Sequence, residues 1–175
     1  VRFTDAYSAA PFCSPSRAAL LTGRLPARAG LPYVLFPTEH HGLPEAEITL
    51  ATLLKTRGYA TACIGKWHLG WDEPFRPRRH GFDEYFGLPH SNDSNQWPVG
   101  EPFMQVMGVE PLPLIDGERV VEAPVDQSTL TRRYTEEAVQ FIRKHRSRPF
   151  LLYFPHTFPH VPLFASPAFK GKSRR

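Results

Sequence analysis

The chain has 175 residues, 41% apolar and 13% aromatic, which suits one packed domain or a piece of a larger one and argues against disorder. Its formal charge is +4, concentrated in "RPRRH" (Arg76 to His80), "RKHRSR" (Arg143 to Arg148) and the last residues. That balance suits anionic sulfate or phosphate esters; with no nucleic-acid motif and no regular basic stripe, nucleic acid is not expected as a partner.

No run of about 18 apolar residues is present, so no membrane span is expected. Two cysteines are too few for a disulfide scaffold. The chain opens on "VRFTDAY" without Met and stops on "KGKSRR", with no signal segment in hand. It reads as a fragment with both ends missing.

In chain order, Arg2 to Tyr7 alternates weakly and is bounded by "SAAP", which predicts a strand. A helix follows, with Ser14 as N-cap, Pro15 at its first position and Gly23 past its end. "ITLATLLKTRG" puts Ile48, Leu50, Leu53 and Leu54 at helical spacing and closes on Gly58. "YATACIG" is a short β-type run. Residues 88–127 form a Pro-rich, aperiodic insertion in which "PLIDGERVVE" predicts a surface hairpin around an Asp-Gly turn. "LTRRYTEEAVQFIRKH" aligns Tyr134, Ala138, Phe141, Ile142 and His145 on one helix face. After Pro149, "FLLYF" predicts a buried parallel strand. Strand–helix, helix–strand, helix–strand is the order of an α/β layer fold with a mainly parallel sheet.

Ligands of such sheets sit beyond the carboxyl ends of the strands. Cys13 and Arg17 follow the first expected strand, Lys66 and His68 follow "YATACIG", and His156 and His160 follow "FLLYF". Cys13 at a helix start lies where free N–H groups favour an anion. Arg17, four residues on, stacks near it and can grip two oxygens of a tetrahedral oxyanion. Lys66 and His68, two apart in an extended run, face the same way and suit anion binding with proton transfer. Their flanking glycines let the backbone turn and approach a ligand. Blander roles stay open at this point: a core cysteine, even one paired with Cys63, an exposed arginine, and structural histidines around a core Trp67. His40, His41 and His80 read as loop residues. There is no HExxH, paired CxxC or P-loop, which removes zinc-protease, zinc-ribbon and nucleotide-triphosphate chemistry.

"CSPSRAALLTGR" resembles the first signature of the sulfatase family, and "GYATACIGKWHLG" resembles the second. "HGFDEYFGLPHSND" and "PVDQSTLTRRYTEEAVQFI" are similar to stretches of arylsulfatases, and the nearest subgroups are arylsulfatase A and N-acetylgalactosamine-6-sulfatase. The resemblance implies an alkaline-phosphatase-like α/β sandwich with a mainly parallel central sheet flanked by helices. The whole of 1–175 would be part of one catalytic domain, without its first metal-binding strand and its C-terminal half.

It also implies sulfate ester hydrolysis through a formylglycine. A sulfatase-modifying enzyme oxidises the cysteine, here Cys13, to an aldehyde, whose hydrate attacks sulfur beside Ca²⁺ (or Mg²⁺). By the same resemblance Arg17 stabilises the formylglycine, Lys66 contacts sulfate and diol, His68 takes the diol proton, and His160 binds sulfate with His156 as the fallback. Ser91 resembles a substrate-side serine. Apart from Cys13, the calcium ligands are expected outside this chain, since Asp5 and Asp93 stand in the wrong contexts. The bare fragment is therefore expected to be inactive. Export to a periplasm, lysosome or cell exterior goes with the family, whereas substrate and oligomeric state stay open. The rivals are a phosphonate monoester or phosphodiester hydrolase of the same superfamily, and a non-catalytic anion- or glycan-binding protein that keeps its thiol.

Overall fold

A computed structural model describes residues 2–94 and 109–172. Its centre is strand β1 (Ala60–Lys66), buried at every position, which is how a strand covered on both faces reads in sequence. β2 (Glu84–Leu88) and β5 (Phe150–Tyr153) flank it, both parallel to it. The hairpin β3 (Leu114–Asp116) and β4 (Arg119–Glu122) extends the sheet antiparallel beyond β2, giving the order β4-β3-β2-β1-β5. The sheet is thus mixed, parallel at its centre and antiparallel at the hairpin edge. The Asp-Gly turn does what its sequence predicts, with Gly117 at φ 62°.

Period-2 alternation along β1 divides the core. Ala60, Ala62 and Ile64 face the 16-residue helix α3 (Leu130–His145), meeting Leu130, Tyr134, Ala138 and Phe141. Cys63 points to the opposite face, where Trp67, Leu69, Phe82 and Tyr85 pack with Ala18 and Leu21 of α1 (Cys13–Thr22) and Ala51 of α2 (Leu50–Lys55). Helices therefore cover both faces of the sheet. Burying each large apolar side chain is worth about 1.5–3 kcal/mol, so the stripe on α3 is what fixes that helix to the sheet.

Several expectations change. Arg2 to Tyr7 forms no strand; Phe3 and Tyr7 are exposed, and the run pairs with no strand among the described residues. Ser14 is not the N-cap of α1. Phe12 takes that place in extended geometry, and Ser14 lies fully buried inside the helix with its hydroxyl turned to Leu35. The stop at Gly23 is as expected, in left-handed geometry with its N–H on the Ala19 carbonyl.

Thr49 caps α2 by accepting from the Thr52 N–H, but Ala51 is its buried residue, while Ile48, Leu50 and Leu53 face outward. Close packing against β1 admits the small side chain and excludes the large ones. β5 is parallel but only half-buried, because it ends the sheet order. Ile142, placed on the buried face of α3 by its spacing, is 41% exposed. β2 itself is unheralded by any clean alternation. Of the 88–127 insertion, residues 95–108 lie outside the described residues.

Candidate active site

The carboxyl end of β1 runs into Trp67 and His68, and tight backbone approach sets its geometry. Gly65 pairs with Gly87 of β2. A Cβ on Gly87 would stand 1.7 Å from the Gly65 carbonyl oxygen, and one on Gly65 would stand 2.3 Å from that of Pro155. These glycines serve backbone-to-backbone contact, not approach to a ligand. They let the Lys66 N–H reach the Pro155 carbonyl at 2.8 Å, which ties β1 to the loop after β5.

The Lys66 side chain is 1% exposed, and its Nζ lies 3.4 Å from Cys13 Sγ and 2.8 Å from Ser91 Oγ. A thiol and a hydroxyl are modest partners for a buried ammonium. Burial, then the neighbouring Arg17 charge, lower the Lys66 pKa to about 8, opposed by Cys13. Cys13 opens α1 and is part-exposed, so a helix N-terminus and an ammonium both face its side chain. Cys63 is a free, buried thiol on β1, so no disulfide joins the two.

Arg17 sits one helical turn from Cys13, but its guanidinium donates to the Lys66 carbonyl. Nε is buried without a partner. Arg17 thus stands behind Lys66 instead of gripping an anion in front of it.

His68 is 2% exposed, with left-handed backbone at φ 58°, a conformation rare outside glycine. The extended run that would have aligned it with Lys66 ends before it. Its Nε2 is 2.8 Å from the Leu35 carbonyl, and its Nδ1 is buried without a partner. Burial above all, with Lys66 and Arg17 adding, pushes its pKa well below the usual histidine value, so the ring is neutral at physiological pH.

A cleft of about 720 Å³ is lined by Cys13, His68, Ser91 and His160, with Glu39 and Asp93 as its carboxylates. Its walls are otherwise largely apolar, including Phe12, Val34, Phe36 and Pro37. His160, half-buried between two prolines, holds its Nδ1 2.7 Å from the Val161 carbonyl. His156 is absent from that lining. Its Nδ1 accepts from the Phe158 N–H, and its ring packs edge-on to Tyr134. Of the two histidines, His160 is the one brought to the cleft.

Sequence reasoning overlooked three participants. Ser14 and Leu35 together hold His68, and only a fold could reveal that. Tyr153, at the end of β5, lies beside the Arg17 side chain, and its phenol is pushed up by burial before all else. A tyrosine closing an apolar strand carries no signal of such a role.

A family model described as Sulfatase matches residues 1–175. Arylsulfatase G of Mus musculus is 41% identical over 195 residues, covering 100% of this chain and 37% of that protein. Arylsulfatase A of Bos taurus is 40% identical over 188 residues, again covering 100% and 37%. Among solved structures, Ps i-CgsB in complex with k-i-k-neocarrahexaose superposes with a TM-score of 0.73 at 33% identity, over 97% of this chain and 41% of that one. The chain spans a little over a third of the length of these curated relatives. Its sheet and flanking helices are accordingly part of an alkaline-phosphatase-like domain.

Proposed function

The chain belongs to the sulfatase family, and on that premise we propose that the protein hydrolyses sulfate monoesters through a formylglycine made from Cys13. Cys13 Sγ and Ser91 Oγ, both lining one cleft, converge on the buried Lys66 Nζ, and this carries the reading. A modified Cys13 would fit, since the side chain is reachable from the cleft and stands at a helix N-terminus. Hydrated, the aldehyde supplies two hydroxyls on one carbon: one attacks sulfur as the alcohol departs, and the other lets sulfate leave as the carbonyl re-forms.

The protein's own residues do the rest. Lys66, oriented by Ser91, holds sulfate oxygens beside position 13 and offsets charge developing in the transition state. His68 presents the Nδ1 lone pair as the proton acceptor. His160 closes the sulfate subsite from the loop after β5. Arg17 fixes the Lys66 carbonyl and adds positive potential behind it. The apolar walls suit the face of an aryl group or a sugar ring, and a structural relative was solved with an oligosaccharide.

Calcium, or magnesium in its place, does not fit these residues alone. Among the described residues no three or more His, Cys, Asp or Glu are grouped to hold a metal. An ion at this site needs further donors besides position 13. On this reading residues 1–175 are part of one catalytic domain, and activity requires those further donors. A sulfatase-modifying enzyme is the partner required for maturation. Export to a periplasm, lysosome or cell exterior accords with sulfated glycan substrates. No helix among the described residues is long and apolar enough to cross a membrane.

The test is to express the full-length protein with a sulfatase-modifying enzyme and follow the Cys13 peptide by mass spectrometry alongside nitrophenyl sulfate turnover. Loss of the sulfur together with turnover is expected. The aldehyde without turnover overturns the proposal, as does faster turnover of a phosphonate monoester. An intact thiol with anion binding favours the non-catalytic alternative.

A further inference from the structure

Ser14 follows Cys13 directly, yet it faces away from the cleft. It is fully buried, and its Oγ accepts the Leu35 N–H at 3.1 Å. The carbonyl of that same residue lies 2.8 Å from Nε2 of His68. Residues 31–37 are neither helix nor strand, so no backbone ladder positions this peptide. One serine hydroxyl and one imidazole grip its two polar ends.

The contact determines where the histidine keeps its proton. A carbonyl oxygen only accepts, so Nε2 must be the protonated nitrogen. A neutral imidazole has a single N–H, which leaves Nδ1 with a free lone pair, and Nδ1 is the buried nitrogen without a partner. The other tautomer would set two lone pairs, on Nε2 and on the carbonyl, against each other at 2.8 Å. Ring orientation is held by the backbone too, since the His68 N–H donates to the Pro89 carbonyl at 3.0 Å while φ stays at 58°.

We propose that Ser14 is a positioning residue: through the Leu35 peptide it selects the Nε2–H tautomer of His68 and keeps Nδ1 as the proton acceptor of the cleft. The hydroxyl touches neither substrate nor reacting atoms. Its influence on turnover rests on the sulfate-ester reading above, but its influence on the tautomer does not. The charged and titratable groups around the ring are Lys66, Arg17 and His90, with Cys13, Glu39, Asp93 and His160 lining the same cleft.

The test uses ¹⁵N-histidine NMR on the full-length, modified protein, with Ser14→Val and Ser14→Thr as a nearly isosteric pair. Threonine keeps the acceptor and valine removes it. In the unsubstituted protein His68 is expected as the neutral Nε2–H form throughout pH 6–8. Valine is expected to give mixed tautomers, a roughly tenfold lower kcat with little change in KM, and a displaced acid limb of the pH profile. Threonine is expected to restore all three. Rates are normalised to aldehyde content, because Ser14 lies inside the modification motif. A Nδ1–H tautomer in the unsubstituted protein overturns the proposal even if the valine variant fails to fold. A folded valine variant with an unchanged tautomer and unchanged pH profile overturns it as well. Failure of the unsubstituted protein to cleave any sulfate ester would defeat the enzymatic reading and leave the NMR result to judge Ser14 by itself.

Discussion

The two ends of strand β1 are built to opposite rules. At its beginning, Thr61 and Asp83 satisfy each other. The Thr61 hydroxyl donates to the Gly81 carbonyl at 2.7 Å, and the Thr61 N–H meets Asp83 Oδ2 at 3.2 Å. Lys55 pairs with the outer oxygen of the same carboxylate at 2.6 Å. Burial alone would raise the Asp83 pKa, but the bonds from Lys55 and Thr61 hold it below the usual carboxylate value. At its end, Lys66 is buried with a thiol and a hydroxyl, and the neighbouring Arg17 lowers its pKa further. One end completes its polar contacts within the fold. The other keeps a charge that an incoming anion would complete, and holding it there costs stability.

Lys66→Met should separate these rules most widely. Losing the cation is expected to lower kcat/KM for a sulfate ester by about 10²–10³-fold, the scale of losing one oxyanion donor. Stability should hold or rise. Bringing a lysine from 10.5 to about 8 corresponds to about 3 kcal/mol spent keeping it charged at neutral pH. Denaturant midpoints alongside kinetics check both. A clear loss of stability would mean that the ammonium is structural and would break the contrast.

At the other end, Asp83→Ala should reverse the pattern. It leaves the Thr61 N–H short of its acceptor, while the hydroxyl keeps the Gly81 carbonyl, a loss of about 1–3 kcal/mol. With the modified residue intact, kcat/KM should stay within about twofold. A tenfold loss of activity without loss of stability would show that the ends are coupled through β1.

The pH profile sharpens the comparison further. A Lys66 pKa of about 8 means that the free protein carries the cation below that pH and loses it above. kcat/KM, which reports free-enzyme groups, should therefore fall about tenfold per pH unit above about 8. Binding of a sulfate anion favours the protonated form, so the limb in kcat should lie higher. Lys66→Arg, whose guanidinium stays charged, should lose the limb while keeping part of the activity. An alkaline limb that persists in that variant would assign it to another group.

The end of β1 that carries Lys66 could be read in the sequence, whereas the pairing of Thr61, Asp83 and Lys55 at its beginning could not. β1 and α3 were legible because unbroken apolar burial and a 3.6-residue stripe are dictated locally. Lys66, His68 and His160 could be singled out because they follow expected strand ends, and Ser91 through the family resemblance. The structure brings His68, Ser91 and His160 to one cleft with Cys13, and the buried Lys66 bonds to Cys13 and Ser91. β2 was not legible, because Gly87 is chosen for its approach to Gly65 across the sheet and spoils the alternation. The outward leucines of α2 misled because spacing defines a face without saying which neighbour covers it. Ser14 misled because a serine before a helical run reads as a cap, while its partner is Leu35, far along the chain.

The smallest effect tests the satisfied end at its surface. In Lys55→Met the outer oxygen of Asp83 loses its ammonium, but both Thr61 contacts remain. The side chains are 51% and 38% exposed, so solvent screens the pair, and its loss should cost less than about 1 kcal/mol. Whatever cost appears should shrink toward zero in 1 M salt, where charges a few ångströms apart are screened. The cost of Asp83→Ala, which lies in directed bonds to Thr61, should persist there. Denaturation midpoints of both variants at low and high salt supply the measurement. If the two costs fell together with salt, the satisfied end would rest on its surface charge. The contrast with Lys66 would then be one of exposure and not of hydrogen-bond completion.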